Sequence, residues 1–182
     1  FAFSTAKTES NGLGTKLCNN NPPVTFANLS NSSIPVIGVE WFFEGGNPAT
    51  STDLEPQVLY TIPGAFDVMM IVDNGSCKDT LVKTDYISVG EVPVAEFSMT
   101  PDEGCAPLPV SFTDGSTIST GFIEKWDWIF SPTSPPSIST MQNPNYMFLA
   151  GENAPVQLRV TSNGGCMDSI LKMVFIYPVI EM

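Results

Sequence analysis

Four cysteines are the residues of this sequence whose chemistry is most easily placed: Cys18, Cys77, Cys105 and Cys166. In an oxidising compartment cysteines form disulfides, and four of them allow three pairings. A zinc site usually takes paired ligands from short turns, and no two of these cysteines lie close together in the sequence. Disulfides are therefore favoured over zinc and over free buried thiols, and they indicate a protein outside the cell or on its way there.

Residue types that carry out catalysis are scarce. The sequence has no histidine, which excludes Ser-His-Asp and Cys-His catalysis and histidine-ligated zinc. Two carboxylate pairs exist, Glu40 with Glu44 and Glu124 with Asp127. They flank tryptophan-bearing strands of segments too small to offer an evident substrate cleft, which glycoside hydrolysis would need. We therefore predict that the chain is not an enzyme.

The acidic residues indicate whether the chain could bind calcium or a charged partner. Several carboxylates lie in or beside predicted turns, where oxygen-rich loops bind calcium; they are Asp53, Glu55, Asp67, Asp73 and Asp79. Solvated turn carboxylates are the favoured interpretation, so we predict no cofactor, with calcium as the alternative. A net charge of −12, with only 7 Lys and Arg residues, argues against nucleic acid and anionic membranes. No apolar stretch approaches the length that spans a bilayer.

The sequence repeats itself once. Four landmarks of different chemistry recur at separations of 87, 87, 88 and 89 residues, so chance is a poor explanation. The pairs are Cys18 and Cys105, Trp41 and Trp128, Pro56 and Pro144, and Cys77 and Cys166. We predict two homologous domains, residues 1–91 and residues 92–182. Such a period is too long for a solenoid repeat and close to the size of an immunoglobulin-like sandwich.

Each repeat is patterned for β-strands. Apolar residues alternate with more polar ones over residues 66–72 and, more cleanly, over residues 156–161, which is the period of a half-buried strand. An Asn-Gly pair, a strong hairpin signal, follows each segment. Trp41 and Trp128 are predicted core residues, as a central tryptophan is in other sandwiches. The predicted fold class is all-β, with two tandem immunoglobulin-like β-sandwich domains.

The repeat also favours one of the three disulfide pairings. Each copy has one cysteine just before its Pro-Val-x-Phe strand and one just after its Asn-Gly hairpin. The symmetric solution pairs Cys18 with Cys77 and Cys105 with Cys166, so that each domain holds one disulfide of its own. A bridge that closes a loop of about 60 residues contributes about 4 kcal/mol by loop entropy.

The two ends of the sequence resemble the start of a further copy. Residues 178–182 align with residues 93–97, where the second domain begins, and residues 1–4 align with part of the same strand. We expect a segment of a longer array of such domains. The alternative is a polymer subunit whose terminal strand completes the sheet of a neighbouring subunit.

Several stretches of the second copy together resemble a PKD domain. They are Gly104-Cys105-Ala106-Pro107, Val110-Ser111-Phe112-Thr113-Asp114, Trp126-Asp127-Trp128-Ile129-Phe130, Asn143-Pro144-Asn145-Tyr146 and Asn163-Gly164-Gly165-Cys166-Met167-Asp168. The first copy carries the same signals around Trp41, Tyr60 and Cys77. The resemblance covers essentially the whole chain, and it is strongest to the cysteine-containing domains of large Bacteroidetes surface proteins, including gliding-motility adhesins. The family's usual acidic turn is altered in both copies.

The resemblance implies an extracellular or cell-surface location and a spacer or adhesive role. The partners it implies are neighbouring PKD domains of the same chain or other subunits of a filament, together with polysaccharide or a surface protein. Asp79-Thr80-Leu81 and Asp168-Ser169-Ile170 also resemble the O-glycosylation signal of Bacteroidetes, which marks Thr80 and Ser169. The alternative is that these pairs simply begin the final strand of each copy.

Two functions remain open. The first is a structural stalk or fibre, which the short connection Gly90-Glu91-Val92-Pro93 favours because a proline and few residues limit hinge freedom. The second is a binding module that contacts polysaccharide or protein through loops, at residues 5–16 and 131–136. Trp126 is a candidate sugar-stacking residue, although a tryptophan so near Trp128 more often covers part of the sandwich.

Overall fold

The structure is a computed structural model that describes residues 3–5, 15–30, 35–131, 137–149 and 152–178. The chain divides into two compact units, Phe1–Glu91 (unit 1) and Val92–Met182 (unit 2). Every regular element of the described residues is a β-strand. None of these residues forms a helix long and apolar enough to cross a bilayer.

Unit 1 contains eight strands in the described residues. They are β1 (Phe3–Thr5), β2 (Thr15–Cys18), β3 (Val24–Asn28), β4 (Gly38–Phe43), β5 (Thr50–Ser51), β6 (Gln57–Val58), β7 (Gly64–Asp73) and β8 (Lys78–Gly90). Three of them form a sheet in the order β1-β3-β6, and the other five form a sheet in the order β2-β8-β7-β4-β5.

Unit 2 repeats this plan strand for strand. Its strands are β9 (Phe97–Thr100), β10 (Glu103–Cys105), β11 (Leu108–Asp114), β12 (Ile123–Ser131), β13 (Ser137–Ser139), β14 (Asn145–Phe148), β15 (Ala154–Ser162) and β16 (Met167–Tyr177). The sheets have the orders β9-β11-β14 and β10-β16-β15-β12-β13. Adding eight to each strand number of unit 1 therefore gives its counterpart in unit 2.

One pairing in each unit is parallel, whereas the other ladders are antiparallel. The short strand β2 runs beside the far end of β8, with Leu17 opposite Val89 and Cys18 opposite Gly90. In unit 2, β10 runs in the same way beside β16 and places Cys105 opposite Tyr177. Since the last strand of each unit is long, at 13 and 11 residues, its first part lies far from this parallel segment.

The core of each unit lies between its two sheets and follows the period-2 alternation of the strands. On β7, Val68, Met70 and Val72 are buried while their neighbours are half-buried, and β15 buries every second residue in the same way. Trp41 and Trp128 are both 0% exposed. Full burial of one large apolar side chain is worth about 1.5–3 kcal/mol, so these faces supply the main stabilisation of each unit.

Each tryptophan packs against aromatic neighbours, and its indole N–H donates a hydrogen bond to a backbone carbonyl. The ring of Trp41 lies 5.9 Å from that of Phe26 and 5.7 Å from that of Phe43, and its Nε1 donates to the Asp53 carbonyl at 3.0 Å. The counterparts in unit 2 share the plan. Trp128 lies 5.5 Å from Phe112 and 6.1 Å from Phe130, and its Nε1 donates to the Met141 carbonyl at 2.9 Å. Burial is therefore achieved without an orphaned indole N–H.

The predicted all-β sandwich fold is confirmed by this architecture. The alternation over residues 66–72 and 156–161 corresponds to β7 and β15, and hairpins follow both strands at the Asn-Gly pairs. The predicted disulfide pairing is not confirmed, because it depends on where the ends of the strands lie.

Candidate functional sites: cysteines, carboxylates and an aromatic hollow

The cysteines do not pair within the repeats. Cys77 and Cys105 are free and exposed. Cys18 and Cys166 are each disulfide-bonded. The predicted pairs, Cys18 with Cys77 and Cys105 with Cys166, are therefore not those of the structure.

The reason lies in the last strand of each unit. Cys166 immediately precedes β16, whereas Cys105 lies opposite Tyr177, the last residue of that 11-residue strand. At about 3.3 Å per residue, the two cysteines are about 35 Å apart, whereas the Cα atoms of a disulfide lie within about 7 Å. In unit 1, Cys77 and Cys18 stand at the two ends of β8 in the same way. Neither predicted bridge can form without unfolding its unit.

The hairpin between the last two strands holds one cysteine of each unit. In unit 1 the Cys77 N–H donates to the Asn74 side-chain oxygen at 2.9 Å, and the Asn74 N–H donates to the Cys77 carbonyl at 3.2 Å. In unit 2 the Cys166 N–H donates to Ser162 Oγ at 3.2 Å, and the Ser162 N–H donates to the Cys166 carbonyl at 2.8 Å. Both cysteines are thus held by a reciprocal pair of bonds to a polar residue across the turn.

The parallel segment holds the other cysteine. The N–H of Asn19, the residue after Cys18, donates to the Gly90 carbonyl at 2.9 Å. The N–H of Ala106, the residue after Cys105, donates to the Tyr177 carbonyl at 3.0 Å. Each of these cysteines is therefore fixed on the end of the last strand, and the two units place it equivalently.

The carboxylates considered for calcium make local contacts of their own. Asp67 accepts the Asp85 N–H at 2.8 Å, Asp73 accepts the Gly75 N–H at 2.7 Å, and Asp53 accepts the Ser51 hydroxyl at 3.1 Å. Within the described part of the chain, no group of three or more His, Cys, Asp and Glu residues is placed to hold a metal ion. These side chains support turns and strand ends.

The carboxylate pairs considered for catalysis are divided among other partners. Glu40 forms an ion pair with Lys78 at 3.5 Å, while Glu44 accepts the Asp67 N–H at 3.0 Å. In unit 2, Asp127 pairs with Arg159 at 3.0 Å on the neighbouring strand. Exposed ion pairs of this kind contribute at most about 1 kcal/mol each. Their geometry is that of cross-strand contacts.

The two residues marked for glycosylation both lie near the start of a last strand. Thr80 on β8 and Ser169 on β16 are exposed. Thr80 lies opposite Ile71, and Ser169 lies opposite Arg159. Their hydroxyls are accessible to a modifying enzyme, and their modification stays a prediction.

A shallow hollow in unit 2 groups an aromatic ring with two polar side chains. Trp126 Nε1 donates to Asp114 Oδ2 at 2.7 Å, and Gln142 Nε2 donates to the same oxygen at 3.1 Å. Trp126 is half-buried and packs against the core of unit 2, so part of the ring covers the sandwich. The hollow is also lined by Ile118 and Ile123. The predicted binding loops lie mostly outside the described residues, at residues 6–14 and 132–136.

Comparison with solved structures finds fibronectin(III)-like modules and PKD domains among the similar chains. The fibronectin(III)-like modules of Clostridium thermocellum CbhA match with a TM-score of 0.52 and 11% identity, over 97% of this chain and 95% of theirs. The PKD1 domain of the Vibrio cholerae metalloprotease PrtV matches with a TM-score of 0.42 and 24% identity, over 47% of this chain and 98% of the domain. Neither a protein-family model nor a curated protein matches the chain. The CbhA likeness shows the sandwich fold of fibronectin(III)-like modules.

Proposed function

We propose that the chain is a non-catalytic structural segment of an extracellular bacterial surface protein, a stalk or fibre-forming part of an adhesin or filament built from PKD-like domains. The observation that carries the proposal is duplication. The same eight strands, the same two sheet orders and the same tryptophan-centred core occur in both units. A chain that repeats a complete, separately packed domain gains length, which is what a stalk or fibre requires.

The connection between the repeats supports this proposal. Strand β8 ends at Gly90, and Val94 already bridges Thr117 within unit 2. Only three residues lie between Gly90 and Val94, and one of them is Pro93. So short a connection is suited to a semi-rigid spacer and poorly suited to a flexible tether.

Charge and cysteine chemistry agree with an extracellular location. A net charge of −12 favours solubility and keeps copies from associating nonspecifically. Cys18 and Cys166 are each disulfide-bonded, and disulfides persist in oxidising compartments.

Electron microscopy of the native material shed from its source tests the proposal. We expect long threads or regular filaments that an antibody against this chain labels along their length. An antibody against an unrelated surface protein of the same cells is the control. Labelled particles that are compact and no longer than two domains would contradict a stalk or fibre.

A second candidate, binding of polysaccharide, is favoured by the hollow at Trp126. A half-buried aromatic face beside a carboxylate and an amide offers stacking and hydrogen bonding to a sugar. Soluble polysaccharides titrated onto the chain should bind saturably, and Trp126→Ala should abolish binding. Phe122→Ala, a change at an exposed aromatic residue of unit 2 outside the hollow, is the matched control and should bind normally. Equal affinities of the two variants would rule out the hollow as the binding site.

A further inference from the structure

We propose that the outer face of the five-stranded sheet of unit 2 is a self-association surface, on which two copies of this chain bind each other about a two-fold axis. The inference goes beyond the proposed function, because a stalk requires only length, whereas this surface joins two stalks side by side. It begins from a continuous apolar surface that the fold leaves exposed.

The strand pattern of unit 2 shows where this surface lies. Strand β16 buries Val174 and Ile176 in the core, so Phe175 and Tyr177 point to the opposite face of the sheet. These two aromatic side chains are 46% and 49% exposed, and Leu171 on the same face is 58% exposed. We call this surface the outer apolar face, and it consists of Ile129, Ile138, Leu171, Met173, Phe175 and Tyr177.

The registers of the ladders make the outer apolar face continuous. Ile138 on β13 lies opposite Ile129 on β12, and Ile129 lies opposite Gln157 on β15. Gln157 in turn lies opposite Leu171 on β16. One row of side chains therefore crosses four strands, and the aromatic residues of β16 extend it along that strand. Exposed apolar patches of this kind commonly mark interaction sites on soluble proteins.

The fold does not require this face, as unit 1 shows. Gly90 and Tyr177 hold the same position of the repeat, because each ends the parallel segment of its unit. Ser88 and Phe175, two residues earlier, are likewise counterparts. Unit 1 therefore has a hydroxyl and a bare backbone where unit 2 exposes two aromatic rings. Since the same sandwich forms without the rings, their exposure serves contact with another molecule.

The charge on this side of the sheet suits contact with another copy of the same acidic chain. A net charge of −12 makes two copies repel each other. Around the outer apolar face, however, the acidic Glu103 and Asp127 are matched by the basic Lys125 and Arg159. Two such faces therefore meet without net repulsion. A mainly aliphatic surface also suits a protein better than a sugar, whose hydroxyl groups need hydrogen-bond partners.

The positions of two of these charges indicate how the copies are arranged. Glu103 lies beside Phe175, near the end of β16, whereas Lys125 lies on the level of Met167, at its start. Leu171 is midway between these two levels. In a two-fold contact, a residue of one copy that touches a second residue on the other copy is matched by the reverse pair. A two-fold axis near Leu171 that reverses the strand direction therefore brings each Lys125 to the end that bears Glu103 of the other copy.

The size of the face predicts a weak, reversible dimer. The long strands β12, β15 and β16, with the short strands beside them, measure about 20 Å by 30 Å at the usual strand spacings. Each copy then contributes about 600 Å², and two copies bury about 1,200 Å², the lower limit of stable interfaces. Isolated chains should therefore associate only at high concentration, and repetition along an array strengthens the contact by multivalency.

Sedimentation velocity of the purified full chain over a range of concentrations tests the proposal. The wild-type chain should shift from monomer to dimer as the concentration rises. Phe175→Ser, which has the side chain that unit 1 carries at this position, should weaken the dimer by about tenfold or more. Met147→Ser is the matched control, because Met147 is 52% exposed on β14 of the other sheet, and it should dimerise like the wild type.

Charge reversal tests the two-fold arrangement. Glu103→Lys and Lys125→Glu should each weaken the dimer at low ionic strength, because each variant brings like charges together twice. An equal mixture of the two variants should form a heterodimer as strong as the wild-type dimer, since opposite charges then face each other at both ends. Both residues are exposed, so the folded units should be unchanged, and thermal unfolding of the dilute variants checks this.

Three results would overturn the proposal. They are a wild-type chain that stays monomeric at every concentration, a dimer that Phe175→Ser leaves as strong as Met147→Ser does, and a mixture of the charge variants that associates no better than either variant alone. A monomeric chain that instead binds a polysaccharide or another protein through Phe175 falls under the first result. None of these results bears on whether the native material forms threads, so failure of this surface and failure of the proposed function are distinguishable.

Discussion

The hydroxyl of Tyr60 is buried and finds no hydrogen-bond partner among the described residues. The side chain is only 2% exposed, and burial raises the pKa of the Tyr60 phenol well above its usual value. Its counterpart in unit 2 is Phe148, which fills the corresponding place without a hydroxyl. Tyr60→Phe should therefore stabilise unit 1, because the ring is kept and only the orphaned hydroxyl is removed.

The magnitude follows from the cost of burying a polar group. A hydroxyl that gives up its hydrogen bonds to water and gains none in the folded state costs about 1–3 kcal/mol. Allowing for partial relaxation around the ring, we expect a gain of about 1 kcal/mol in the free energy of unfolding. For a unit of this size, such a gain raises Tm by about 5 °C.

The assay is urea denaturation monitored by hydrogen exchange and mass spectrometry. Separate peptides report the stability of unit 1 and of unit 2. Tyr146→Phe is the matched control, because the Tyr146 hydroxyl donates to Ser137 Oγ at 3.1 Å and its loss should cost about 0.5–1.5 kcal/mol in unit 2. The reasoning is refuted if Tyr60→Phe destabilises unit 1 by a similar amount, since the hydroxyl of Tyr60 would then have a partner.

Two further predictions concern charge and backbone conformation. The hydrogen bond from Lys172, with that from the Phe97 N–H, holds the pKa of Glu96 below its ordinary value of 4.5. The stability that these hydrogen bonds add is complete at pH values above the ordinary pKa of Glu96, and it is lost as the pH falls through the lower pKa of the folded state. Lys172→Met should therefore make the unfolding of unit 2 less sensitive to acid. An unchanged pH profile of the unfolding midpoint would contradict this. Gly45 has φ +65°, and a Cβ there would overlap the Phe66 ring, whereas the space beside Gly165 (φ +84°) is open. In thermal denaturation Gly45→Ala should cost the backbone strain of about 1–2 kcal/mol plus about 1–3 kcal/mol of overpacking, and Gly165→Ala only the strain; equal costs would contradict the overlap.

The fold was predictable because its signals are local. The alternation that becomes β7 and β15 is visible within seven residues, and each Asn-Gly pair marks its own hairpin. The core positions of Trp41 and Trp128 could be predicted by aligning the two repeats of the sequence with each other. Propensity, pattern and turn chemistry all agree in these segments, which is the condition under which a sequence indicates its fold.

The cysteine pairing was not predictable from the same signals. It depends on the parallel register of β2 on β8 and of β10 on β16, which places Cys18 and Cys105 at the ends of long strands. A short strand that joins the edge of a sheet in parallel leaves no period in the sequence beyond a few residues. Symmetry between the repeats favoured bonds within the repeats, and only the lengths of the last strands exclude those bonds.

The hollow at Trp126 also could not be predicted from the sequence. Asp114 and Gln142 are 28 residues apart, and they meet at the Trp126 indole only because β11 and β12 lie in different sheets of one sandwich. Non-local meetings of this kind follow from topology. The sequence pointed to the aromatic residue, while its polar partners became visible only in the folded unit.

The parallel pairing of the short strand with the last strand also governs how each unit responds to a pulling force. Four residue pairs join β2 to β8, and three join β10 to β16. When two parallel strands near opposite ends of a chain are pulled apart along their length, every hydrogen bond between them is loaded at once and must break together. A hairpin pulled from its open end yields one bond at a time. The small parallel patch therefore acts as a mechanical clamp, so each unit should stay folded under tension that would unzip an antiparallel edge.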